Sequence, residues 1–461
     1  MRLLRGRGVA SACVMAAVAA ALVAPGAASA KKSKGGGGSP TQCTGSAITG
    51  QGAAVEVNAQ TLWTGDFNSP TDTNAAACSG TQGPTKGTPV VKYTKSSSGI
   101  GLESWGVLPG TASFAPTNAF VGTEEPPNPT QKGQIESNEI ASPVVPDTVL
   151  SYPVGQEAIT PIVHLPAGCT ATSAADPGRL VLDNVTLEKI FDGSITEWSQ
   201  ITEDGDKLSG ESCTPATEIT RVVRPDSAGT THILKKYLYL INTADFSTSL
   251  GSENWNQLSE GEGNIVWPTG STPIVTASSI GDSAQIKKVA ETVSSIGYGS
   301  LTDVRTNTSF VPPSGGPGTA TFWTPVQNDG VSTKKTAYAD PATNGELAAK
   351  ADANCADTKY TNGVTKFPPK SVADTWDTVT TATKQKHYPI CGLLYILALS
   401  KYSAYSSTTP GEAQTVSDYV KFTLASGIGG GQTLLGSNQD YEPLAAKLLK
   451  EAVGDESLIQ D

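Results

Sequence analysis

From Cys43 onward short apolar runs alternate with stretches of helical periodicity, and that alternation restricts the chain to an α/β protein built in layers. Pro89 to Tyr93, PVVKY, reads as a strand, because Val90, Val91 and Tyr93 supply the β-branched and aromatic side chains that suit a pleated surface. Ala158 to Leu165, AITPIVHL, reads as another, bent or near an edge because Pro161 has no N–H to give to a ladder. Helices are predicted where apolar residues recur at three and four: Ile233, Leu234, Tyr237, Leu238 and Ile241; Ile286, Val289, Ala290 and Val293; Val416, Tyr419, Val420, Phe422 and Leu424. Gly427 to Gly431 stops the last of these. The polar segment from Val304 to His387, rich in Pro, Gly, Thr and Asn, reads as an elaborated connection, and no repeat period points to a solenoid or propeller.

The first thirty residues read as a secretory signal peptide: basic Arg2, Arg5 and Arg7, apolar Val14 to Val23, then small Ala28, Ser29 and Ala30 ahead of a cleavage after Ala30. The apolar run is far shorter than the roughly 20 residues of a spanning helix, so a secreted or periplasmic protein is expected. Lys31 to Gln42, KKSKGGGGSPTQ, reads as a flexible linker. Beyond Cys13 of the leader, six cysteines remain, an even number suited to an oxidising compartment. Fifteen connectivities are open to them. Their spread into three separated pairs favours Cys43 with Cys78, Cys169 with Cys213, and Cys355 with Cys391. No two lie at the short spacing of a zinc site, and no cofactor is expected.

About 430 residues follow the leader, more than one core holds, so two lobes are expected. The net charge is −11, or −14 without the three arginines of the leader, which makes nucleic acid and anionic membranes poor partners. A small anion is still compatible, since a buried site uses helix N-termini and one arginine against the overall field. Arg221 to Leu238, RVVRPDSAGTTHILKKYL, is the stretch richest in such chemistry. Ser227, Ala228 and Gly229 lead into a helix whose first N–H groups face outward. Arg224 offers a rigid fork for two oxygens, and Asp226 either orients that fork or accepts a ligand proton. Tyr93 to Leu102, YTKSSSGIGL, joins a strand to hydroxyl and glycine residues, and Phe120 to Pro127, FVGTEEPP, sets Glu124 at a strand end. Each stretch alone is equally a helix cap, a serine turn or a surface charge.

Taken in order, these stretches resemble the phosphate-binding components of ABC transporters, the periplasmic phosphate-binding protein family. TGQGAAVEVNAQTLW from Thr49 to Trp63 resembles the family's opening Gly-x-Gly-Ala segment, YTKSSSGIGL its Gly-Ser-Gly-x-Gly loop, and FVGTEEPP its strand ending in Ser-Asp-x-Pro. LEKIFDGSITEW from Leu187 to Trp198 looks like its characteristic helix, and RPDSAGTT like its Arg-x-Asp-Gly-Ser-Gly-Thr. SIGY from Ser295 to Tyr298, Tyr388-Pro389-Ile390, and Leu435 to Leu444 continue the series. The resemblance implies a two-lobed, type II periplasmic-binding-protein-like fold with the ligand in the interlobe cleft. Lobe 1 would take 43–153 and part of 306–461, and lobe 2 would take 154–305. It implies ligand contacts from Ala54, Val55, Ser98, Glu124, Arg224, Asp226, Ala228, Gly229 and Thr230, and a monomer that captures phosphate or a similar oxyanion for an ABC permease. Ala54, Val55 and Ala228 stand where the family has threonine, phenylalanine and serine, and Glu124 where it has aspartate. The anion class is retained and the identity of the oxyanion is left open.

Two other classes compete. A secreted phosphatase-like hydrolase would use Ser98 or Thr230 with His232 and Asp226, although His232 reads as a surface histidine of its helix and no Gly-x-Ser-x-Gly motif is present. An extracellular structural or signalling protein would keep the fold without the ligand. Binding without turnover is the favoured expectation.

Overall fold

The strand signals lie along one large mixed sheet in the computed structural model. The structure describes residues 41–69, 76–78, 89–107, 116–140, 149–167, 169, 180–203, 206–207, 217–242, 245–248, 251–310, 321–327, 338–342 and 388–461, apart from 439, 445 and 454. The leader, most of the linker, His387 and much of the segment from Val304 to His387 lie outside them. Nine strands form the sheet: β1 (Ile48–Ala53), β2 (Val91–Ser96), β3 (Phe120–Thr123), β4 (Val149–His164), β5 (Thr220–Val223), β6 (Ile274–Thr276), β7 (Ser295–Ser300), β8 (Thr321–Trp323) and β9 (Cys391–Leu399). Their order is β6-β5-β7-β4-β9-β3-β1-β2, with β8 added to β4. β1, β2 and β3 are mutually parallel, as are β5, β6 and β7. β4 and β9 run antiparallel to their neighbours between the two parallel groups. This is the expected two-lobed α/β architecture.

β4 joins the lobes. Val149 to Ala158 pairs with β9, and Ile159 to His164 pairs with β7. The segment read as bent or near an edge is therefore central and buried. Two features reconcile its prolines with that place: a bulge in β4 leaves Val154 unpaired between Pro153, opposite Tyr395, and Gly155, opposite Leu394, and Pro161 serves as an acceptor, its carbonyl taking the Thr324 N–H at 3.0 Å.

Ten helices cover the sheet among the described residues: α1 (Val57–Phe67), α2 (Ser98–Glu103), α3 (Pro129–Glu136), α4 (Asn184–Asp192), α5 (Gly229–Ile241), α6 (Asp282–Glu291), α7 (Leu301–Thr306), α8 (Glu412–Leu424), α9 (Gly431–Ser437) and α10 (Ala446–Ala452). The predicted stripes of α5 and α8 are buried. That of α6 ends early: the helix stops at Glu291 and Val293 is exposed. Each lobe has an aromatic centre. Phe67 meets Tyr419 and Phe422 at 5.2 and 5.4 Å in one, and Trp267 meets Phe191 and Tyr298 at 5.6 and 5.7 Å in the other. α5 departs from an ordinary surface helix, because residues 229–238 are all buried under the turns around Trp255 to Trp267. Lys235 is thus taken inside, where Nζ donates to the carbonyls of Leu258, Asn264 and Val266 at 3.0, 2.7 and 2.6 Å and lies 4.3 Å from the Trp267 ring centre.

Cys43 and Cys78 form the expected disulfide, across 35 residues of chain. Cys169 and Cys391 are also disulfide-bonded, while Cys213 and Cys355 lie outside the described residues. Thr41 and Gln42, expected within the linker, are already tied down: Thr41 donates to the Ala76 carbonyl at 3.2 Å, and the Gln42 and Cys43 N–H groups donate to Asp418 at 3.0 and 2.8 Å. Replacing Cys43 and Cys78 by alanine is expected to lower stability by about 2–5 kcal/mol in denaturant titration. An unchanged midpoint would show that Asp418 alone secures this end.

Candidate functional site

Parallel strands bring their carboxyl ends to one place, and ligands of open α/β sheets bind there. Six strand ends meet this condition. β1 runs into Ala54 and Val55, β2 into Ser98, β3 into Glu124 and β5 into Arg224. β6 precedes the loop to Asp282, the first residue of α6, and β7 ends at Ser300.

The second lobe supplies the charge. Arg224 is 3% exposed and its fork is already occupied: Nε and Nη2 donate to the two Asp226 oxygens at 2.9 and 2.5 Å, and Nη1 donates to Asp282. Of the five N–H donors of a guanidinium, two remain for a further acceptor. Asp282 is held in turn by Thr230 Oγ1 at 2.8 Å and by the Ser300 N–H at 2.9 Å. Burial opposes the Arg224 charge, but Asp282 and Asp226 outweigh it and hold the guanidinium above its ordinary range. Ala228 occupies the N-cap of α5 without a side-chain cap. Asn264 steadies it instead, accepting the Ala228 N–H at 3.2 Å and donating to the Ala228 carbonyl at 3.0 Å.

The first lobe brings Ser98 and Glu124 against that helix start. Ser98 Oγ accepts the Glu124 N–H at 3.3 Å. A Cβ added at Gly229 would lie 2.3 Å from Glu124 Cβ, 2.6 Å from its Oε2 and 2.8 Å from Ser98 Oγ. Glycine is therefore required for the lobes to come this close. One at Gly99 would lie 2.9 Å from Ser227 Cβ, so the same two loops touch a second time. On the β1 side, Tyr441 donates its hydroxyl to the Val55 carbonyl, fixing the turn that carries Ala54 and Val55.

Carboxyls crowd the same place. Burial raises Glu124 to about 7, Asp303 to about 7 and Glu125 to about 8, and lifts Glu56 and Glu157 well above the carboxylate range. The sequence singled out the loop residues but missed Asp282, Ser300, Asn264 and Glu157. Asp282 reads locally as a helix cap, and Glu157 as one polar residue in an apolar strand.

His232 is corrected by the structure. It is buried rather than on the surface, because the chain around Ser259 covers α5, and its Nδ1 lies 3.1 Å from the Ser259 carbonyl. Burial depresses it to about 3. Its hydrogen bond goes to Ser259, while Asp226 is bound to Arg224 and Thr230 to Asp282, so the triad considered for a hydrolase is not assembled.

Two α/β lobes, a shared pair of crossing strands and a charged cleft at the strand ends define a solute-binding architecture. A family model described as the PBP superfamily domain matches residues 85–426, and the chain belongs to that superfamily. Among solved structures, it is similar to the phosphate-binding protein of Stenotrophomonas maltophilia, with 15% identity, a TM-score of 0.51, and coverage of 88% of this chain and 92% of that one. It is also similar to PfluDING, a high affinity periplasmic phosphate-binding protein solved with phosphate, at 16% identity and a TM-score of 0.52 over 89% and 97% of the two chains. The ancestral soluble variant of the human phosphate binding protein gives 16% and 0.52 over 90% and 98%. These likenesses establish the fold. No curated protein matches the sequence. Among the described residues no helix is long and apolar enough to cross a membrane.

Gly229→Ala is expected to disfavour the closed arrangement by about 1–3 kcal/mol, the usual range for overpacking. Small-angle scattering should then show a larger radius of gyration than wild type, and an unchanged radius would show that the lobes give way locally. A second expectation concerns pH. Glu125 is raised, so the stability linked to it is complete below about pH 4.5 and lost as pH rises through about 8. His232 is already neutral above about pH 6.5 and adds no opposing trend there. The melting temperature should fall between about pH 6.5 and 8.5, and fall less in Glu125→Gln. Equal slopes in the two proteins would remove Glu125 from the account.

Proposed function

We propose that this protein is an exported solute-binding protein that captures inorganic phosphate or a similar oxyanion for an ABC-type permease. The observation that carries the reading is the convergence of Arg224, Ser98, Glu124 and the start of α5 at the strand ends, with three of the nine expected contact residues, Ser98, Glu124 and Gly229, already meeting across the cleft. Two free guanidinium N–H groups, backbone donors at the start of α5 and the Ser98 hydroxyl form a donor set suited to a tetrahedral anion. Ala54 and Val55 would add backbone N–H groups from the opposite side. The names of the structurally similar proteins support the same reading.

The acidic surroundings favour an oxyanion that still carries a proton, because an ionised carboxylate accepts a hydrogen bond from such a ligand and repels one that has no proton. Phosphate meets this condition near neutral pH and sulfate does not. Export by cleavage after Ala30 accords with the disulfide at Cys43 and Cys78. A monomer suits a cleft that opens and closes about crossing strands.

Calorimetry with phosphate tests the assignment. Wild type should bind at one site, and Arg224→Ala should lose at least about a hundredfold in affinity, equivalent to roughly 2.7 kcal/mol. Equal affinity in the two proteins would exclude this cleft as the site.

A further inference from the structure

Glu157 lies outside every loop discussed so far. On β4 it pairs with Gly392 of β9, and two residues on, Ile159 pairs with Ser300, whose N–H holds Asp282. Its carboxyl thus leaves the long strand where the first lobe gives way to the second. Gly392 makes room there for Ile233 of α5, whose Cδ1 would lie 2.3 Å from an added Cβ, while Glu157 Cγ would be in ordinary contact at 3.4 Å. Glu157 is 1% exposed, and neither of its oxygens has a hydrogen-bond partner among the described residues. The Glu124 side chain, which it faces, also has a buried oxygen without a partner, Oε1. The charged and titratable groups around the two are Glu56 after β1, Tyr93 of β2, Glu125 beside Glu124, Arg224 after β5, Asp282 of α6, Asp303 of α7 and Tyr441 before α10. Arg224 is the one cation in that set, and Asp226 and Asp282 already engage it. Two facing buried carboxyls with no cation of their own do not both ionise, and a proton between them satisfies one oxygen of each.

We propose that Glu157 is a further specificity-determining residue of this cleft: it retains a proton that it donates to the Glu124 carboxylate, keeping Glu124 an acceptor for an oxyanion that carries its own proton. The inference rests on the oxyanion reading above. The asymmetry between the two groups supports it. Burial raises both carboxyls, but the Arg224 guanidinium bears on Glu124 and favours its charged form, whereas the acidic groups Glu124, Asp282 and Glu56 bear on Glu157 and favour its protonated form. Without that donor Glu124 would keep its own proton at neutral pH. It would then donate to any oxyanion, and the distinction between phosphate and sulfate would be lost.

Two substitutions of similar size separate donation from packing. Glu157→Gln keeps an N–H donor, and Glu157→Leu has none. Phosphate and sulfate affinities would be measured by calorimetry from about pH 6 to 8.5, the range that spans the Glu124 transition. Wild type and Glu157→Gln are expected to prefer phosphate at about pH 7, and Glu157→Leu to lose at least about tenfold of that preference. The pH at which the preference emerges should rise by about one unit in Glu157→Leu. Equal preference and equal midpoints in all three proteins would overturn the proposal and leave the oxyanion site standing. Independently of whether Glu157→Leu folds, the Glu157 carboxyl carbon resonance, assigned by its loss in Glu157→Gln, should report a protonated group in wild type at about pH 7. An ionised Glu157 there would also overturn it. Wild type that binds neither anion would refute the oxyanion reading itself, and selection by this pair with it.

Discussion

Arg224 and its two carboxylates hold the cleft together. A buried guanidinium is tolerable only when its donors are taken up, and here Asp226 accepts from one edge and Asp282 from another. Through Asp282 the same charge fixes Thr230 at the start of α5 and the N–H of Ser300 at the end of β7. Three strand ends and two helix starts therefore take their positions from one cation. Removing a single partner from such a buried set typically costs about 3–5 kcal/mol, because the remaining charge is left unpaired.

The second constraint is geometric. A single 16-residue strand, β4, serves both lobes, and β9 runs beside its first half. Because these crossing strands connect the two parallel groups, the carboxyl ends of β1, β2 and β3 come to face those of β5, β6 and β7. Gly229 and Gly99 let the facing loops meet at backbone distance. The close approach and the charge depend on each other: with a side chain at position 229, Glu124 and Ser98 would stand away from the helix start.

An acidic chain with a buried arginine in its cleft presents no contradiction once the field is resolved locally. Beyond the two carboxylates bound to Arg224, burial raises Glu56, Glu124, Glu157 and Asp303 toward neutrality, so the interior is much less negative than the composition implies.

Much of this was legible in the sequence, for physical reasons that differ from part to part. The stripes of α5 and α8 follow from helical spacing, which is local, and the placement of Ser98, Glu124 and Arg224 just past strands follows from short apolar runs ending in polar loops. The pairing of Cys43 with Cys78 followed from their isolation from the other cysteines along the chain. Other features are properties of contact between distant segments. Nothing near His232 or Lys235 announces that residues 255–267 will cover their helix, and Pro161 reads as an edge signal until β7 and β8 are laid beside that part of β4. Asp282 and Glu157 carry no local mark, since their roles come from Arg224 and Glu124, 58 and 33 residues away in the chain. The sequence by itself determined which elements form and which loops carry anion chemistry, because spacing and residue type act over a few residues. Tertiary structure alone decided which charges meet and which carboxyls keep their protons, because burial and pairing depend on what the fold brings together.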